Sequence, residues 1–294
     1  MLTSRRIILI FTPMRKSGFQ KIQEIVKIAL EEDLGKGDIT SELIIPEKQK
    51  GMGFIIAKEK GIIAGLEVAK SVFKQVDPGL VFKPLVSDGD KVRPNQKVAL
   101  IRGKAKSILA GERTALNFLQ RLSGIATLTG EFVRKIRGTK AKILDTRKTT
   151  PGLRLLEKYA VKKGGGKNHR QGLYDMILIK DNHIEAAGSI SLAIRKALRN
   201  RKGLKIEVET RNLEEIKEAL NFKINRIMLD NFRSEDLKKA VKLIRSKNKK
   251  VEIEASGKVN LKNVRKIALS GVDFISVGAL THSAKALDFS LLLK

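Results

Sequence analysis

Thirty-nine residues, Asp145 to His183, hold the densest collection of groups able to do chemistry. They read DTRKTTPGLRLLEKYAVKKGGGKNHRQGLYDMILIKDNH, with His169 and His183, nine Lys or Arg against four acids, and glycines at 164, 165 and 166. Cationic side chains beside backbone that glycine leaves bare suit a ligand with several negative charges, such as phosphates or carboxylates. A solvated basic loop is the plainer alternative, because the whole chain is basic. Position argues for a site. The segment begins where Ile143-Leu144 ends and closes after Met176–Ile179, and charge at strand ends is a common active-site arrangement in α/β folds.

The same pattern recurs further on. Short apolar runs lie at 143–144, 176–179, 204–208, 226–229, 251–253 and 272–277. They end, in turn, on Asp145-Thr146-Arg147-Lys148, Lys180, Glu209, Asp230-Asn231, Glu254 with Ser256-Gly257, and Gly278-Ala279. Helical spacing at 189–198, 212–220, 234–244 and 261–269 separates the later runs. This βαβα alternation predicts parallel strands with crossover helices. Such a sheet or barrel gathers its carboxyl ends on one face.

On that face Arg147, Lys148, His169, Arg170 and Lys180 suit carboxylates and phosphates, arginine by bidentate geometry. Glu209 and Asp230, on neighbouring strands, suit Mg²⁺ or sugar hydroxyls. Ser256-Gly257 and Gly278-Ala279 offer backbone N–H groups ahead of helices, a phosphate-holding end. Plainer readings stand beside these. Glu209 and Asp230 could pair with Lys180 or Arg147, the three glycines could form a flexible loop, and His183 and His282 could be capping or core residues.

Composition narrows the class. The chain has 294 residues, a net charge of +29, no cysteine, no tryptophan and two tyrosines. Zero cysteines exclude disulfides, thiolate metal ligands and a cysteine nucleophile, and fit a cytoplasmic protein. No apolar run approaches the roughly 20 residues needed to span a bilayer, so no membrane partner is expected. The charge raises nucleic-acid binding as an alternative. Against it, Lys and Arg are spread along the chain, stacking aromatics are scarce, and no zinc-knuckle, RNP or basic-zipper pattern occurs. The nucleotide signatures GxxxxGK[ST] and GxGxxG between strand and helix are absent too.

The first third reads differently. A helix is predicted over Ile22–Leu30, a strand over Gly53–Ala57, a helix over Gly65–Val76, and short antiparallel strands within Val81–Arg102. Ser107–Arg137 is helical, with a break near Ser123-Gly124 dividing it into two helices. Ahead of this, Arg5-Arg6 and Ile7–Phe11 resemble the opening of a signal peptide, but the apolar run is short and Pro13 follows. Residues 1–18 are read as a dispensable extension, with Met14 an alternative start.

The segment LDTRKTTPGLRLLEKYAVKKGGGKNHRQGLYDMILIKDNHI closely resembles the signature stretch of the quinolinate phosphoribosyltransferase, or nicotinate-nucleotide pyrophosphorylase, family. EEDLGKGDITSELI and GERTALNFLQRLSGIATLT resemble that family's N-terminal region; IEVETRNLEE, IMLDNF, EASGKVN and VGALTHSAKALDFSLLL resemble its remaining strand ends. The likeness covers residues 19 to 294. It implies a mixed α/β fold of the type II phosphoribosyltransferase kind. An N-terminal α/β sandwich would span 19–120, rejoined by 285–294, and an open α/β barrel would span 121–284.

The likeness also implies a reaction. Quinolinate and phosphoribosyl pyrophosphate give nicotinate mononucleotide, pyrophosphate and CO₂, with Mg²⁺, in NAD biosynthesis. It implies a homodimer or higher even oligomer with shared active sites. By matched position, Arg147, His169 and Arg170 bind the quinolinate carboxylates, with Arg113 supplied by the partner subunit; Thr146 stands beside them. Lys148 and Lys180 lie between the two substrates. Glu209 and Asp230 meet the ribose hydroxyls and Mg²⁺, and Ser256, Gly257, Gly278 and Ala279 hold phosphate. One departure concerns Ser256-Gly257-Lys258, where the family usually has Ser-Gly-Gly. A positive φ at Lys258 would be strained. A related enzyme that transfers ribosyl phosphate to another pyridine is the nearest alternative within this class.

Overall fold

The computed structural model describes residues 18–294. All but the last residue of the expected 1–18 extension therefore lies outside the described residues. The chain opens with α1 (Gly18–Leu34), α2 (Ile39–Ile44), β1 (Lys50–Ala57), β2 (Gly61–Ile62), α3 (Leu66–Val76), β3 (Val81–Pro84), β4 (Lys91–Val92) and β5 (Lys97–Lys104). Asp38 caps α2 by accepting the Ser41 N–H at 3.1 Å, which relieves one orphan donor of the first turn. Along β1, Gly53, Ile55 and Ala57 are buried at alternating positions, the period of a strand with one face on a core. β1 pairs antiparallel with β5, and β5 with β3. The last strand of the chain, β12 (Phe289–Leu293), pairs antiparallel with the other edge of β1, Gly53 opposite Leu293 and Ala57 opposite Phe289.

The expected break near Ser123-Gly124 is absent. One helix, α4 (Ala105–Lys135), runs through it for 31 residues. Ser123 and Gly124 are there for packing. The Ser123 hydroxyl accepts the Ala64 N–H at 3.0 Å and donates to the Ala64 carbonyl at 3.2 Å. A Cβ on Gly124 would overlap the Lys285 carbonyl oxygen. Glycine thus lets the C-terminal segment cross α4 closely, which outweighs its weak helix propensity. Gly124→Ala is expected to destabilise the fold by about 1–3 kcal/mol, because backbone has to move. A urea unfolding midpoint equal to that of the unsubstituted protein would contradict this packing.

The remaining elements alternate: β6 (Lys142–Leu144), α5 (Arg154–Lys163), β7 (Ile177–Ile179), α6 (Asp181–Ala187), α7 (Ile190–Asn200), β8 (Ile206–Thr210), α8 (Leu213–Ala219), β9 (Arg226–Asp230), α9 (Ser234–Lys247), β10 (Glu252–Ser256), α10 (Val264–Ala268), β11 (Phe274–Ser276) and α11 (Ala279–His282). The six expected runs are all strands, and all pair in parallel in the order β6-β11-β10-β9-β8-β7. β6 and β7 are the two ends of that sheet, as an open α/β barrel requires. The chain from Asp145 to Met176 joins those ends, with Lys167 bridging back to Leu144. α5 lies inside the Asp145–His183 segment and α6 begins in it, and the sequence pattern predicts neither.

The triple glycine is a close-packing device and not a slack loop. A Cβ on Gly164 would overlap the Ala126 carbonyl of α4, and one on Gly166 would meet Val161 at 2.8 Å and Thr129 at 2.9 Å. Gly165 adopts φ +88°. The turn after α5 is thereby pressed against α4, and this sets where Asn168, His169 and Arg170 emerge.

Candidate active site

A cavity of about 760 Å³ opens at the carboxyl ends of the six parallel strands, a volume usual for small-molecule sites. Thr146, Arg147, Lys148, His169, Arg170, Lys180, Glu209, Asp230, Ser256, Gly257, Gly278 and Ala279 all line it. Arg113 does not. It is exposed on α4, outside the cavity of its own chain.

The cationic side comes from the two ends of the sheet. Arg147 and Lys148 follow β6 and are exposed to the cavity, and no acid among the described residues pairs with either. Arg170 is nearly buried and donates to the Met176 carbonyl at 3.1 Å. Burial, and then repulsion from Arg147, lower the Arg170 pKa, while Glu207 and Asp175 oppose the shift. Lys180, at the end of β7, pairs with Glu209 at 3.4 Å. His183 is a capping residue: its Nδ1 accepts the Lys180 N–H at 3.0 Å.

Beneath this side lies an ion pair that the sequence did not announce. Asp145 is 0 % and Lys158 1 % exposed. Lys158 donates to Asp145 in a short contact and to the His169 carbonyl at 3.1 Å. The His169 N–H donates to Asp145 at 2.9 Å. The Asn168 amide, turned with nitrogen inward, donates to Asp145 at 2.7 Å and to the Lys158 carbonyl at 2.9 Å. One carboxylate thus ties the strand end carrying Arg147 to the arm carrying His169 and Arg170. Burial raises the Asp145 pKa and lowers that of Lys158, each offset in part by the partner's charge.

The anionic side comes from β8 and β9. β8 is buried throughout, and its period of two aims Glu207 and Glu209 the same way. Glu209 pairs in register with Met228, two residues before Asp230, and Asp230 with Ser256 of β10. Burial pushes the Glu209 carboxyl up, Lys180 pulls it down, and Asp230 pushes it up again. Two carboxylates on adjacent strand ends of one cavity offer hard oxygen donors to a divalent cation. The donor set therefore fits Mg²⁺.

A deeper layer holds His169 from below. Its Nε2 lies 3.0 Å from Glu207 and 3.5 Å from Glu254, and its Nδ1 accepts the Arg170 N–H at 2.7 Å. Arg226 lies 2.8 Å from both Glu252 and Glu254 and stacks on Phe274 at 4.2 Å. Ser276 donates to Glu254. Two influences compete at the imidazole. Burial opposes its charge, but the two acids raise it to about 9, whereas the fixed Arg170 amide needs a bare Nδ1 lone pair. The short amide contact decides for one ring proton, on Nε2 and facing the acids. Nε2 thus faces the two acids and Nδ1 an amide, while His169 still lines the cavity beside Arg170. The sequence did contain a signal for this layer: Glu207 and Glu254 sit on the inward face that Glu209 and Ser256 define two residues on.

At the far end, the N–H groups of Gly257, Lys258, Val259, Gly278 and Ala279 find no acceptor among the described residues. Gly278 and Ala279 open a helix, as expected from the sequence, whereas Ser256-Gly257 does not. α10 begins only at Val264, and α11 is a single turn. Lys258 adopts φ +49°, the left-handed conformation foreseen as strained. Where a Cβ would stand on Gly278, the Lys148 stem comes within 3.0 Å and His282 Nε2 within 3.2 Å. His282, read from sequence as a capping or core residue, is exposed and lines the cavity.

Fold and site together define an α/β-barrel enzyme whose cavity receives polyanionic small molecules, cations at the seam and carboxylates opposite. Comparison with known proteins gives the family. Residues 125–292 match the quinolinate phosphoribosyl transferase C-terminal domain, and residues 38–123 its N-terminal domain. The quinolinate phosphoribosyltransferase [decarboxylating] 2b, mitochondrial, of Nicotiana tabacum is 47% identical over 290 residues, 92% of this chain and 81% of the relative. The chloroplastic nicotinate-nucleotide pyrophosphorylase [carboxylating] of Arabidopsis thaliana is likewise 47% identical over 290 residues, 92% of this chain and 82% of the relative. The solved nicotinate-nucleotide pyrophosphorylase of Francisella tularensis superposes with a TM-score of 0.90 at 44% identity, covering 95% of this chain and 98% of that one. The chain belongs to the quinolinate phosphoribosyltransferase family and is an enzyme of that class.

Proposed function

We propose that this cavity brings quinolinate and phosphoribosyl pyrophosphate together and yields nicotinate mononucleotide, pyrophosphate and CO₂, a step of de novo NAD biosynthesis. The observation that carries the reading is the uncompensated charge of Arg147 and Lys148, beside Arg170, in a cavity otherwise bounded by acids on strands. Arg147 and Arg170 take the two pyridine carboxylates, and His169, held from below, fixes the arm that presents Arg170. Lys148 and Lys180 stand where the dicarboxylate and the sugar phosphate meet. The ring nitrogen attacks the anomeric carbon as its bond to pyrophosphate breaks, a step that needs positioning more than a protein nucleophile. Glu209 and Asp230 stabilise the positive charge growing on the sugar. The bond to the adjacent carboxylate then breaks, its electron pair held beside the cationic ring nitrogen, and CO₂ leaves before a proton takes its place.

Glu209 and Asp230 would also hold Mg²⁺, which supplies charge neutralisation for the leaving pyrophosphate. Glu209→Gln and Asp230→Asn are each expected to lower turnover by about 10²-fold and to raise the Mg²⁺ concentration needed for half-maximal rate. A Mg²⁺ titration indistinguishable from that of the unsubstituted enzyme would contradict the assignment.

We further propose a homodimer in which Arg113 completes the partner's cavity. Its exposed position away from its own site supports this. Mixing inactive Arg113→Ala and Arg147→Ala proteins should restore activity, because one hybrid site regains both arginines; no recovery after subunit exchange would contradict sharing. The cysteine-free composition supports a reducing compartment, and we place the enzyme in the cytoplasm; its recovery in an organelle fraction would overturn that. No helix among the described residues is long and apolar enough to cross a membrane.

A further inference from the structure

We propose that Lys258 is a specificity-determining residue of this chain, closing over the sugar-phosphate end of the cavity and adding a side-chain cation to the backbone donors there. The inference rests on the reading above that the cavity receives phosphoribosyl pyrophosphate.

Four observations meet at this residue. Lys258 lines the cavity, yet its ammonium makes no hydrogen bond or ion pair among the described residues. Its backbone is left-handed, at φ +49°, a conformation that crowds any residue bearing a Cβ and that glycine adopts freely. Its carbonyl is held within the loop, where the side-chain amides of Asn260 and Asn263 both donate to it, at 3.3 Å and 3.0 Å. Asn263 in turn accepts the Asn260 N–H at 2.8 Å, and Asn260 the Lys262 N–H at 2.9 Å. Finally, the successive N–H groups of Gly257, Lys258 and Val259 lack acceptors among the described residues. Consecutive free N–H groups around a left-handed residue form an anion-binding concavity.

The neighbouring strand end takes part. Asn231 is left-handed too, at φ +56°. A Cβ on Gly257 would overlap the Asn231 side chain, and the Asn231 N–H donates to the Ser256 carbonyl at 2.9 Å. The ends of β9 and β10 are thus packed closely against each other next to Lys258. Among the described residues, two of the four left-handed residues other than glycine line this one cavity. Strain that the surroundings enforce gathers where function requires it. Glycine would satisfy the backbone at lower cost, so what lysine adds at position 258 is its side chain. A free ammonium beside free N–H groups takes a phosphate.

Lys258→Gln keeps a Cβ and removes the charge, whereas Lys258→Gly removes both charge and strain. At low salt, Lys258→Gln is expected to raise KM for phosphoribosyl pyrophosphate by about 5–20-fold, as for loss of one partly exposed charge-assisted hydrogen bond. KM for quinolinate and kcat stay within twofold. The difference from the unsubstituted enzyme shrinks as salt is added. Lys258→Gly shows the same KM rise together with a higher thermal midpoint. An unchanged KM for phosphoribosyl pyrophosphate in Lys258→Gln, or equal rises for both substrates, overturns the inference while leaving the proposed reaction intact. Failure of the unsubstituted enzyme to turn over the two substrates overturns both.

Discussion

Replacing Arg147 by alanine lowers kcat/KM for quinolinate by about 10²–10³-fold and leaves stability unchanged. The two halves of this result have separate causes. Arg147 is exposed to the cavity and its guanidinium has no acid partner within the described chain, so its removal strands no buried group. Surface substitutions of that kind change stability by about 0.5 kcal/mol or less. Its loss also removes a repulsion on Arg170. Towards a dicarboxylate the balance reverses. A bidentate charged contact in a cavity is worth roughly 3–4 kcal/mol when one partner is truncated, and each 1.36 kcal/mol is tenfold in rate. Lysine at 147 should recover only part of the loss, because a point charge does not reproduce the planar fork. Steady-state kinetics together with thermal unfolding separate the effects. A matching fall in stability would mean that Arg147 holds the fold and not the substrate.

Asp145→Ala does the opposite and damages both. Asp145 is the shared acceptor for Lys158, the His169 N–H and Asn168. Without it, Lys158 remains a cation at 1 % exposure with only a carbonyl for company. Truncating one partner of a buried ion pair costs about 3–5 kcal/mol. The arm bearing His169 and Arg170 also loses its tie to the end of β6, so quinolinate turnover falls even in protein that still folds. The double substitution Asp145→Ala, Lys158→Met removes the stranded charge. It should regain most of the stability and none of the catalytic efficiency, since apolar replacements for buried pairs are often neutral or better. Recovery of activity with stability would show the pair to be structural filling alone.

What the sequence disclosed followed a simple rule: an apolar run that ends on a polar residue. All six strands and the carboxyl-end site came from it, because in a parallel sheet local sequence sets both burial and the loop that follows. The rule fails where a residue's role depends on something distant in the chain. Gly124 looks like a helix breaker until Lys285, at the opposite end of the chain, is seen crossing it. Glu207 sits inside a buried strand and reads as an anomaly, although its spacing of two from Glu209 already puts it on the inward face. Asp145 reads as a strand end, but its partner Lys158 lies on a helix hidden within a basic segment whose charge masks any periodicity. The triple glycine is explained only by α4, whose carbonyls and side chains press against it. Local rules place the reacting groups, and long-range packing decides which of them are free to react.

The most direct test of the account is the fate of the carboxylate at position 2 of quinolinate. Purified enzyme would be incubated with quinolinate labelled in that carboxyl, phosphoribosyl pyrophosphate and Mg²⁺. Labelled CO₂ and nicotinate mononucleotide are expected in equal amounts, with nicotinate failing to replace quinolinate. Nucleotide formed without labelled CO₂, or no product across a range of pH and temperature, would contradict it.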